Sequence, residues 1–390
     1  MGNNKTLISV IMPSLNVKPF IEECILSVIN QTLHEIEIIC VDAGSTDGTL
    51  DILNKYAQTD SRIKIYHSDK KSYGYQMNLG ISKAQGQYIG IVETDDFIDE
   101  EMYETLYGLT DDGKMDIAKV NFYHYYDESF KSPSMLKRNL PESPFTAYEN
   151  ADILKGHPSI WAAIYKKSFL EDNNISFMEA PGGGWVDNPF LFQTALSAES
   201  IAYNDGPYYY YRELNPNSSS NDLKDLTLPM TRMMDNLDVM EDYSCNDEDI
   251  LTALYIRIFW HIYDLLKKDN FKKQEREVLK GFHNVLTRLD ENIIKNRFNL
   301  KDQITYYKYI SPLNVLDYDN QDSIELSKKD YENILKGNEF LYKQVNDLES
   351  QNKKLKNKNK ILKKKNKKLT NEVSEFKSRK IIKLVDKFKN

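Results

Sequence analysis

A cluster of acidic residues follows an apolar stretch of the chain. The run Glu93–Asp96 reads Glu-Thr-Asp-Asp and comes directly after residues 88–92, which are Tyr-Ile-Gly-Ile-Val. Adjacent carboxylates at the end of a buried strand repel one another, and a divalent cation relieves that repulsion. Oxygen ligands favour Mg²⁺ or Mn²⁺, and such an ion usually keeps waters and bridges substrate phosphates. The run therefore predicts a metal site for a phosphate-bearing substrate. A second interpretation stays open, because acidic residues also cap helices and one is expected to begin near Asp99.

A second polar loop follows another apolar stretch. Residues 37–41 (Glu-Ile-Ile-Cys-Val) precede Asp42 and a loop rich in turn-forming and capping residues. The predicted strands are 7–12, 37–41, 63–66 and 88–92, and the predicted helices are 18–31, 49–56 and 76–84. This alternation predicts the α/β class, with a mostly parallel sheet flanked by helices. Ligands bind such sheets at the carboxyl ends of the strands, so both acidic loops are expected at one cleft.

Short motifs in this segment resemble those of family 2 glycosyltransferases, which have the GT-A fold. In chain order they are Ser9–Asn16, Ser27–Thr32, Val41–Thr49, Asn78–Gly80, Ala84–Ile89 and Glu93–Asp96. Their order and spacing match over residues 6–125. The later matches, to the more variable acceptor half of the family, are Val186–Asp187, Tyr211–Arg212 and Ser218–Ser220. The resemblance extends over residues 6–220 and implies an inverting transferase that uses a nucleotide-sugar donor with Mn²⁺ or Mg²⁺.

The resemblance also implies roles for individual residues. Donor binding is expected from Pro13, Ser14, Asn16, Asp42, Asn78, Asp95 and Arg212. Asp96 is expected as the direct metal ligand, with Asp95 nearer the ribose or a metal-bound water. Arg212 resembles the clamp on the diphosphate, since a planar guanidinium binds phosphate bidentately.

Asp187 matches the position of the family's catalytic base. An acceptor hydroxyl is a poor nucleophile at neutral pH, and a base that takes its proton gives about 10²–10⁴-fold acceleration. The alternative is that Asp187 caps the helix that begins at Asn188, where Pro189 suits a first turn; one residue can serve both roles. Trp185 is the tentative acceptor contact, because the glycine run Gly182–Gly184 beside it suits an adjustable loop.

The chain departs from the family pattern at four positions. Ala43 replaces an aspartate that commonly accepts the uracil N–H, which weakens the case for a uridine nucleotide. Glu93 stands where Asp is commoner, Val186 replaces a Glu, and Gln76–Asn78 replaces Ala-Arg-Asn. None of these changes removes the expected metal ligands or the base.

The overall composition fits a globular protein. Of 390 residues, 41% are hydrophobic and 28% are charged, and no stretch reaches the roughly 18 apolar residues that span a bilayer. We recognise no secretion signal, and three cysteines without metal-ligand spacing fit a reducing cytoplasm. The net charge of −8 combines an acidic body with a tail, residues 351–390, that has 16 basic and 3 acidic residues. The acidic body argues against a nucleic-acid partner.

The chain divides into four expected segments. They are a GT-A domain at 1–225, a helical domain at 226–322, a coiled coil at 323–378 and a basic amphipathic tail at 379–390. The coiled coil is predicted by a seven-residue repeat of Leu341, Leu348, Leu355, Leu362 and Leu369. It favours a homodimer, although its flanking lysines also fit an anionic partner or a single solvated helix. The tail pattern is typical of a helix on an anionic membrane surface or of a frayed coiled-coil end.

Together these features predict a metal-dependent inverting glycosyltransferase in the cytoplasm, at the inner face of the membrane. The expected donor is a UDP-sugar, and the expected acceptor is a glycan or a lipid-linked glycan in cell-surface polysaccharide synthesis. The alternative is a catalytically weak scaffold that assembles a complex through its coiled coil, although the carboxylates such a scaffold would lose are all present. A pyrophosphorylase or a dehydrogenase is disfavoured, because no glycine-rich phosphate loop follows the first strand.

Overall fold

The computed structural model describes residues 5–127, 130–133, 140–141, 144–182, 184–215 and 223–310, with the single positions 358 and 365. Within these ranges the strands are β1 (Ile8–Ser14), β2 (Ile36–Asp42), β3 (Ile63–His67), β4 (Tyr88–Ile91), β5 (Phe97–Ile98), β6 (Ile117–Asp127), β7 (Phe130–Pro133), β8 (Ala163–Lys166) and β9 (Ile201–Arg212). The helices are α1 (Lys18–Ile29), α2 (Thr49–Ala57), α3 (Tyr73–Lys83), α4 (Met102–Gly108), α5 (Lys167–Asp172), α6 (Asp187–Ser197), α7 (Leu228–Asp242), α8 (Glu248–Leu265), α9 (Phe271–Leu286), α10 (Glu291–Arg297) and α11 (Leu300–Ile310), with a 3₁₀ turn at Ala151–Leu154.

Three of the predictions fall outside the described residues. The coiled coil at 323–378 has only positions 358 and 365 described, and the basic tail at 379–390 has none. The serines at 218–220 and Gly183 are likewise outside. The homodimer and the membrane-surface helix therefore stay predictions.

The strands and helices predicted before residue 92 are present as β1 to β4 and α1 to α3. Every residue of β1 and β2 is buried, which agrees with strands covered on both faces. The largest shift in a boundary is at α3, which begins at Tyr73 rather than at residue 76. The side chain of Ser72 caps this helix by accepting a hydrogen bond from the Tyr75 N–H. The helix therefore starts immediately after a serine cap.

The sheet is mixed, which corrects the expectation of a mostly parallel one. Its strand order is β3-β2-β1-β4-β8-β6-β9-β5, and β7 pairs with β6. The strands β3, β2, β1 and β4 are parallel, and so are β6 and β9. β8 runs antiparallel to both of its neighbours, and β5 runs antiparallel to β9. The alternation that predicts parallel pairing ends at β4, and the later strands enter the sheet in both directions.

The central strands end at one edge of the sheet. β1 lies between β2 and β4 and is parallel to both, and Ser14 at its end pairs in register with Asp42 at the end of β2. The run Glu93–Asp96 follows the end of β4 by one residue. The two acidic loops therefore leave the sheet at the same edge, as the strand order requires.

Helices α7 to α11 occupy residues 228–310, where the sequence predicts three or four helices. The apolar stripe expected on α8 is buried, with Ile250, Leu254, Ile258, Ile262 and Leu265 in the core. Residues Met1–Asp302 form one compact unit, so α7 to α10, which follow the expected boundary near 225 and are called the helical part here, belong to the same unit as the α/β part; a second unit begins at Gln303. In the part of the chain that is described, no helix combines the length and apolar character needed to cross a membrane.

Gly74 allows α3 to contact the segment that leads to α6. A Cβ atom at Gly74 would lie 1.9 Å from the carbonyl oxygen of Met178, whereas a Cβ at Gly108 in α4 would meet nothing within 4 Å. We expect Gly74→Ala to lower the free energy of unfolding by about 1–3 kcal/mol through this overlap. Gly108→Ala, the control, should raise it by up to about 1 kcal/mol, because alanine is the better helix former. Urea denaturation of both variants measures the difference, and equal effects would contradict the contact.

Candidate active site

Asp42 organises the loops at the ends of β1 and β2. Its Oδ1 accepts hydrogen bonds from the backbone N–H groups of Gly44 and Ser45, both at 2.9 Å. Its Oδ2 accepts the hydroxyls of Ser45 at 2.5 Å and Ser14 at 3.3 Å. The Asp42 side chain is fully buried, so it acts on the predicted nucleotide pocket by holding the two loops in place. Asn16, in the left-handed conformation with φ of 55°, accepts the Thr46 N–H at 2.8 Å and joins the two loops again.

Two side chains connect these loops to the acidic run and to α3. Thr94 donates its hydroxyl to the carbonyl oxygen of Pro13 at 2.7 Å. Gln76 donates its amide to the carbonyl oxygens of Ser14 at 3.0 Å and Val41 at 2.7 Å. Four residues that are predicted to bind the sugar donor are therefore held at the ends of β1 and β2, beside Glu93–Asp96. They are Pro13, Ser14, Asn16 and Asp42.

The carboxylate of Asp96 is held by β9. Its Oδ2 accepts the Tyr209 hydroxyl at 2.9 Å, and its Oδ1 accepts the Arg212 backbone N–H at 2.7 Å. The Tyr209 oxygen in turn accepts the Glu93 N–H at 3.1 Å. Asp96 is only 2% exposed. Burial, followed by the charge of Asp95, raises the pKa of Asp96 well above its usual value despite these bonds.

Glu93 brings the acidic run next to Asp187. Its Oε1 accepts the Tyr73 hydroxyl at 2.6 Å. Burial raises the pKa of Glu93 to about 8; the bond from Tyr73 opposes the increase, and the charges of Asp95 and Asp187 add to it. Glu93 thus interacts electrostatically with Asp95 and with Asp187, although Asp187 comes from a distant part of the sequence.

Asp187 is the first residue of α6, and its carboxylate lies at the positive end of that helix. Its Oδ1 accepts the backbone N–H of Asn188 at 2.9 Å and the Asn188 side-chain amide at 3.1 Å. Burial raises the pKa of Asp187, while the positive charge of Arg257 and the bonds from Asn188 lower it. The helix therefore begins at Asp187, one residue before the expected start at Asn188, and Val186 rather than Asp187 is in the capping position.

Arg212 and Asn215 contact Asp95. The Arg212 Nε donates to the Asp95 carbonyl oxygen at 2.8 Å, and the Asn215 amide donates to the Asp95 Oδ2 at 2.7 Å. The Arg212 Nη2 lies 2.6 Å from the carboxylate of Glu23 on α1. Its guanidinium is also 5.1–5.4 Å from the ring centres of three aromatic side chains, Phe20, Phe97 and Tyr125. Arg212 is therefore beside the acidic run, but it shares its charge with Glu23.

Two of the predicted residues make contacts away from the acidic run. Asn78 donates to the Phe177 carbonyl oxygen and accepts the Phe177 N–H, each at 2.9 Å, so it fastens the segment before α6 to α3. Trp185 has a φ of 54°, and its ring centre is 5.2 Å from that of His261 on α8. Trp185 lies two residues before Asp187, and its indole packs against α8.

Residues 9–173 match the sequence profile described as glycosyl transferase family 2. Over these residues the chain is therefore similar to that family. The match takes in the loops of Asp42 and Glu93–Asp96 and ends before Asp187.

Relatives and solved structures agree with this assignment. The chain is 35% identical over 219 residues to an uncharacterized glycosyltransferase, EpsJ of Bacillus subtilis, covering 54% of this chain and 62% of EpsJ. It is 41% identical over 124 residues to glycosyltransferase GlyG of Streptococcus pneumoniae, covering 32% of this chain and 41% of GlyG. The chain thus spans less than two thirds of these relatives. The structure of S. aureus TarS 1–349 in complex with UDP-GlcNAc superposes with a TM-score of 0.66 at 20% identity, covering 80% of this chain and 88% of TarS 1–349, which shows a shared fold.

The acidic run offers few protein ligands to a metal ion. Among the described residues, no group of three or more His, Cys, Asp or Glu side chains is arranged to surround a metal. An ion held here would take one or two carboxylates from the chain and its other oxygens from a diphosphate and water, which is the usual coordination of Mg²⁺ in phosphate-transfer sites. The mutual repulsion of the buried carboxylates fits such a cation.

Several residues around the site are not predicted from the sequence. Tyr209 stands in a run of four tyrosines, and only its pairing on β9 directs it to Asp96. Asn188 and Arg257 support Asp187, yet no motif marks them. Tyr73, the first residue of α3, donates its hydroxyl directly to Glu93, a contact that no motif indicates.

Tyr209→Phe tests the support of the acidic run. The change leaves the buried Asp96 Oδ2 and the Glu93 N–H without the tyrosine oxygen, so we expect a loss of about 1–3 kcal/mol in the free energy of unfolding. Tyr210→Phe is the matched control on the same strand, because the Tyr210 hydroxyl accepts a hydrogen bond from the exposed Lys131 at 3.3 Å and from no other residue in the described ranges. We expect a change below about 0.5 kcal/mol there. Denaturant unfolding at pH 7 measures both, and a stable Tyr209→Phe would argue against the bond.

Proposed function

We propose that this chain transfers a sugar, with inversion, from a nucleotide-sugar to a hydroxyl of a glycan or lipid-linked glycan. The observation that carries the proposal is that Asp187, from a distant part of the sequence, lies close enough to Glu93 to raise the pKa of that carboxyl, beside the loops that Asp42 organises. The geometry supports a donor bound along the ends of β1 and β2, with its diphosphate at the acidic run. Such an arrangement leaves the sugar between the diphosphate and the carboxylate of Asp187.

We propose Asp95 as the direct ligand of Mn²⁺ or Mg²⁺, which reverses the expectation from the motif. Asp96 is nearly fully buried and accepts two protein hydrogen bonds, whereas Asp95 is partly exposed and accepts one, from Asn215. Asp96 then holds the loop in place. A bound divalent ion would neutralise charge that develops on the leaving nucleoside diphosphate. Arg212 could add positive charge there if a diphosphate draws it away from Glu23.

Asp187 is proposed as the base that takes the proton of the acceptor hydroxyl. Its pKa is raised by burial, and a carboxylate with a raised pKa holds a proton more strongly than one in water. Attack from the side of Asp187, opposite to the leaving diphosphate, inverts the anomeric centre. The positive end of α6 and Arg257 keep the carboxylate ionised before it accepts the proton.

A direct screen of nucleotide-sugars and glycan acceptors tests which donor and which acceptor the protein uses. The buried position of Ala43, 3% exposed, offers no side-chain acceptor to a uracil N–H, while the fold neighbour TarS was crystallised with UDP-GlcNAc. The screen therefore covers UDP-, GDP-, dTDP- and CMP-sugars, each with Mn²⁺, Mg²⁺ or EDTA. Release of nucleotide, with and without glycan acceptors, and the donor-induced shift in melting temperature are the two readouts.

Asp187→Asn and Asp95→Asn test the two carboxylate roles. We expect Asp187→Asn to lose about 10²–10⁴-fold in turnover while it retains the donor-induced thermal shift, because only proton transfer is removed. Asp95→Asn should lose the metal-dependent part of that shift. Asp51→Asn, on the exposed side of α2, is the control that should behave as the wild type.

Full turnover by Asp187→Asn would contradict the base role. No turnover and no thermal shift with any nucleotide-sugar would instead favour the scaffold interpretation. Location at the inner membrane face and dimerisation rest on residues beyond 310 and stay predictions.

A further inference from the structure

A buried arginine from the helical part contacts Asn188, the residue that follows Asp187. Arg257, on α8, is 4% exposed. Its Nη1 donates to the carbonyl oxygens of Leu154 and Gly156, and its Nη2 donates to the side-chain oxygen of Asn188. Its guanidinium is also 6.0 Å from the ring centre of Phe192 on α6. Arg257 therefore joins α8, the 3₁₀ turn and the start of α6.

The bond to Asn188 sets the orientation of the Asn188 amide. A guanidinium only donates hydrogen bonds, so it must face the amide oxygen and leave the NH₂ group to other acceptors. That NH₂ group donates to the Asp187 Oδ1 at 3.1 Å, beside the Asn188 backbone N–H at 2.9 Å. Both of these bonds go to Oδ1, and no described residue donates a hydrogen bond to Oδ2, so we take Oδ2 as the oxygen that receives the proton.

The positive charge of the guanidinium also acts on Asp187. It opposes the effect of burial on the Asp187 pKa, and Glu93 after β4 and Tyr73 on α3 are titratable groups that interact with the same carboxylate. On α8 itself, burial and Arg257 lower the pKa of His261 to about 3, so that histidine stays neutral. Arg257 alone therefore supplies cationic charge from α8 at this point of the structure.

We propose that Arg257 is a positioning residue for Asp187: it holds the Asn188 amide against the carboxylate and places a permanent positive charge beside it. This inference rests on the proposed role of Asp187 as the base. It gives residues 228–310, which lie outside the family profile match, a part in the reaction. The helical part is then required for the orientation of the base and not only for stability.

Arg257→Met, Arg257→Lys and Arg232→Met test this role. Arg232 on α7 is a second buried arginine of the helical part, 7% exposed and paired with Asp235, so it is a matched control for loss of a buried guanidinium. The kcat, the KM for the donor and the melting temperature are measured from pH 5 to pH 9, with the nucleotide-sugar of fastest turnover.

We expect Arg257→Met to lower kcat about 10²-fold at pH 7 through misplacement of the base, with an unchanged KM for the donor. Removing the positive charge raises the pKa of Asp187, so the acid limb of the kcat profile should move up by about one pH unit. Arg257→Lys keeps the charge but cannot bond Asn188 and both carbonyls, so its kcat should fall while the acid limb stays in place. Arg232→Met should lower the melting temperature without moving the limb.

A wild-type kcat and acid limb in folded Arg257→Met would overturn the inference. If that variant does not fold, Arg257→Lys and Asn188→Ala decide the matter, since both keep the α8 contact surface. The Asn188→Ala and Arg257→Lys effects on kcat should be less than additive, because they act through one amide; full additivity would reject the inference. Full activity in Asp187→Asn rejects the proposed base itself, whereas an inactive Asp187→Asn with unaffected Arg257 variants rejects only the positioning role.

Discussion

The repulsion between carboxylates buried at one edge of the sheet is the constraint on which this structure depends. Burial raises the pKa values of Glu93 and Asp96; the charge of Asp95 adds to both, that of Asp187 adds to Glu93, and that of Glu93 adds to Asp96. In a folded protein such a cluster is costly unless hydrogen bonds or a cation offset it. The surrounding elements provide the hydrogen bonds. The negative charge that these bonds do not offset would be neutralised by a divalent ion, which would also bind a diphosphate. The site is thus built to hold charge that the protein alone does not neutralise.

The hydrogen bonds come from elements that are far apart in the sequence. β9 supplies both Tyr209 and the Arg212 N–H, α3 supplies Tyr73, and β1 accepts from Thr94. These four bonds fix side chains of the acidic run, while the bonds from the Glu93 N–H to Tyr209 and from the Arg212 Nε to the Asp95 carbonyl oxygen fix its main chain. The loop consequently has little freedom of its own, which suits a site whose ligands must be in place before the substrate arrives.

The donor half of the site could be predicted from the sequence because it is local. β1, β2 and β4 read as apolar runs, their ends are marked by Ser14, Asp42 and Glu93, and parallel pairing necessarily gathers those ends. The direction of Tyr209 could not be predicted in the same way. The pairing of β9 with β6 is irregular between Val120 and Phe122, and this shift in register decides which tyrosine of the run faces Asp96. A period-2 pattern carries no information about such a bulge.

The support of Asp187 could not be predicted for a different reason. Arg257 is a charged residue on the buried side of α8, and the sequence alone presents it as an interruption of the buried stripe of that helix. A buried charge in such a stripe is tolerated only where acceptors await it, and the acceptors here, the 3₁₀ turn and Asn188, are some 70 to 100 residues earlier in the chain. The charged residue in the apolar stripe therefore indicates that α8 packs against polar groups at that turn. Since the start of α6 provides one of those groups, the helical part and the proposed base are parts of one polar network.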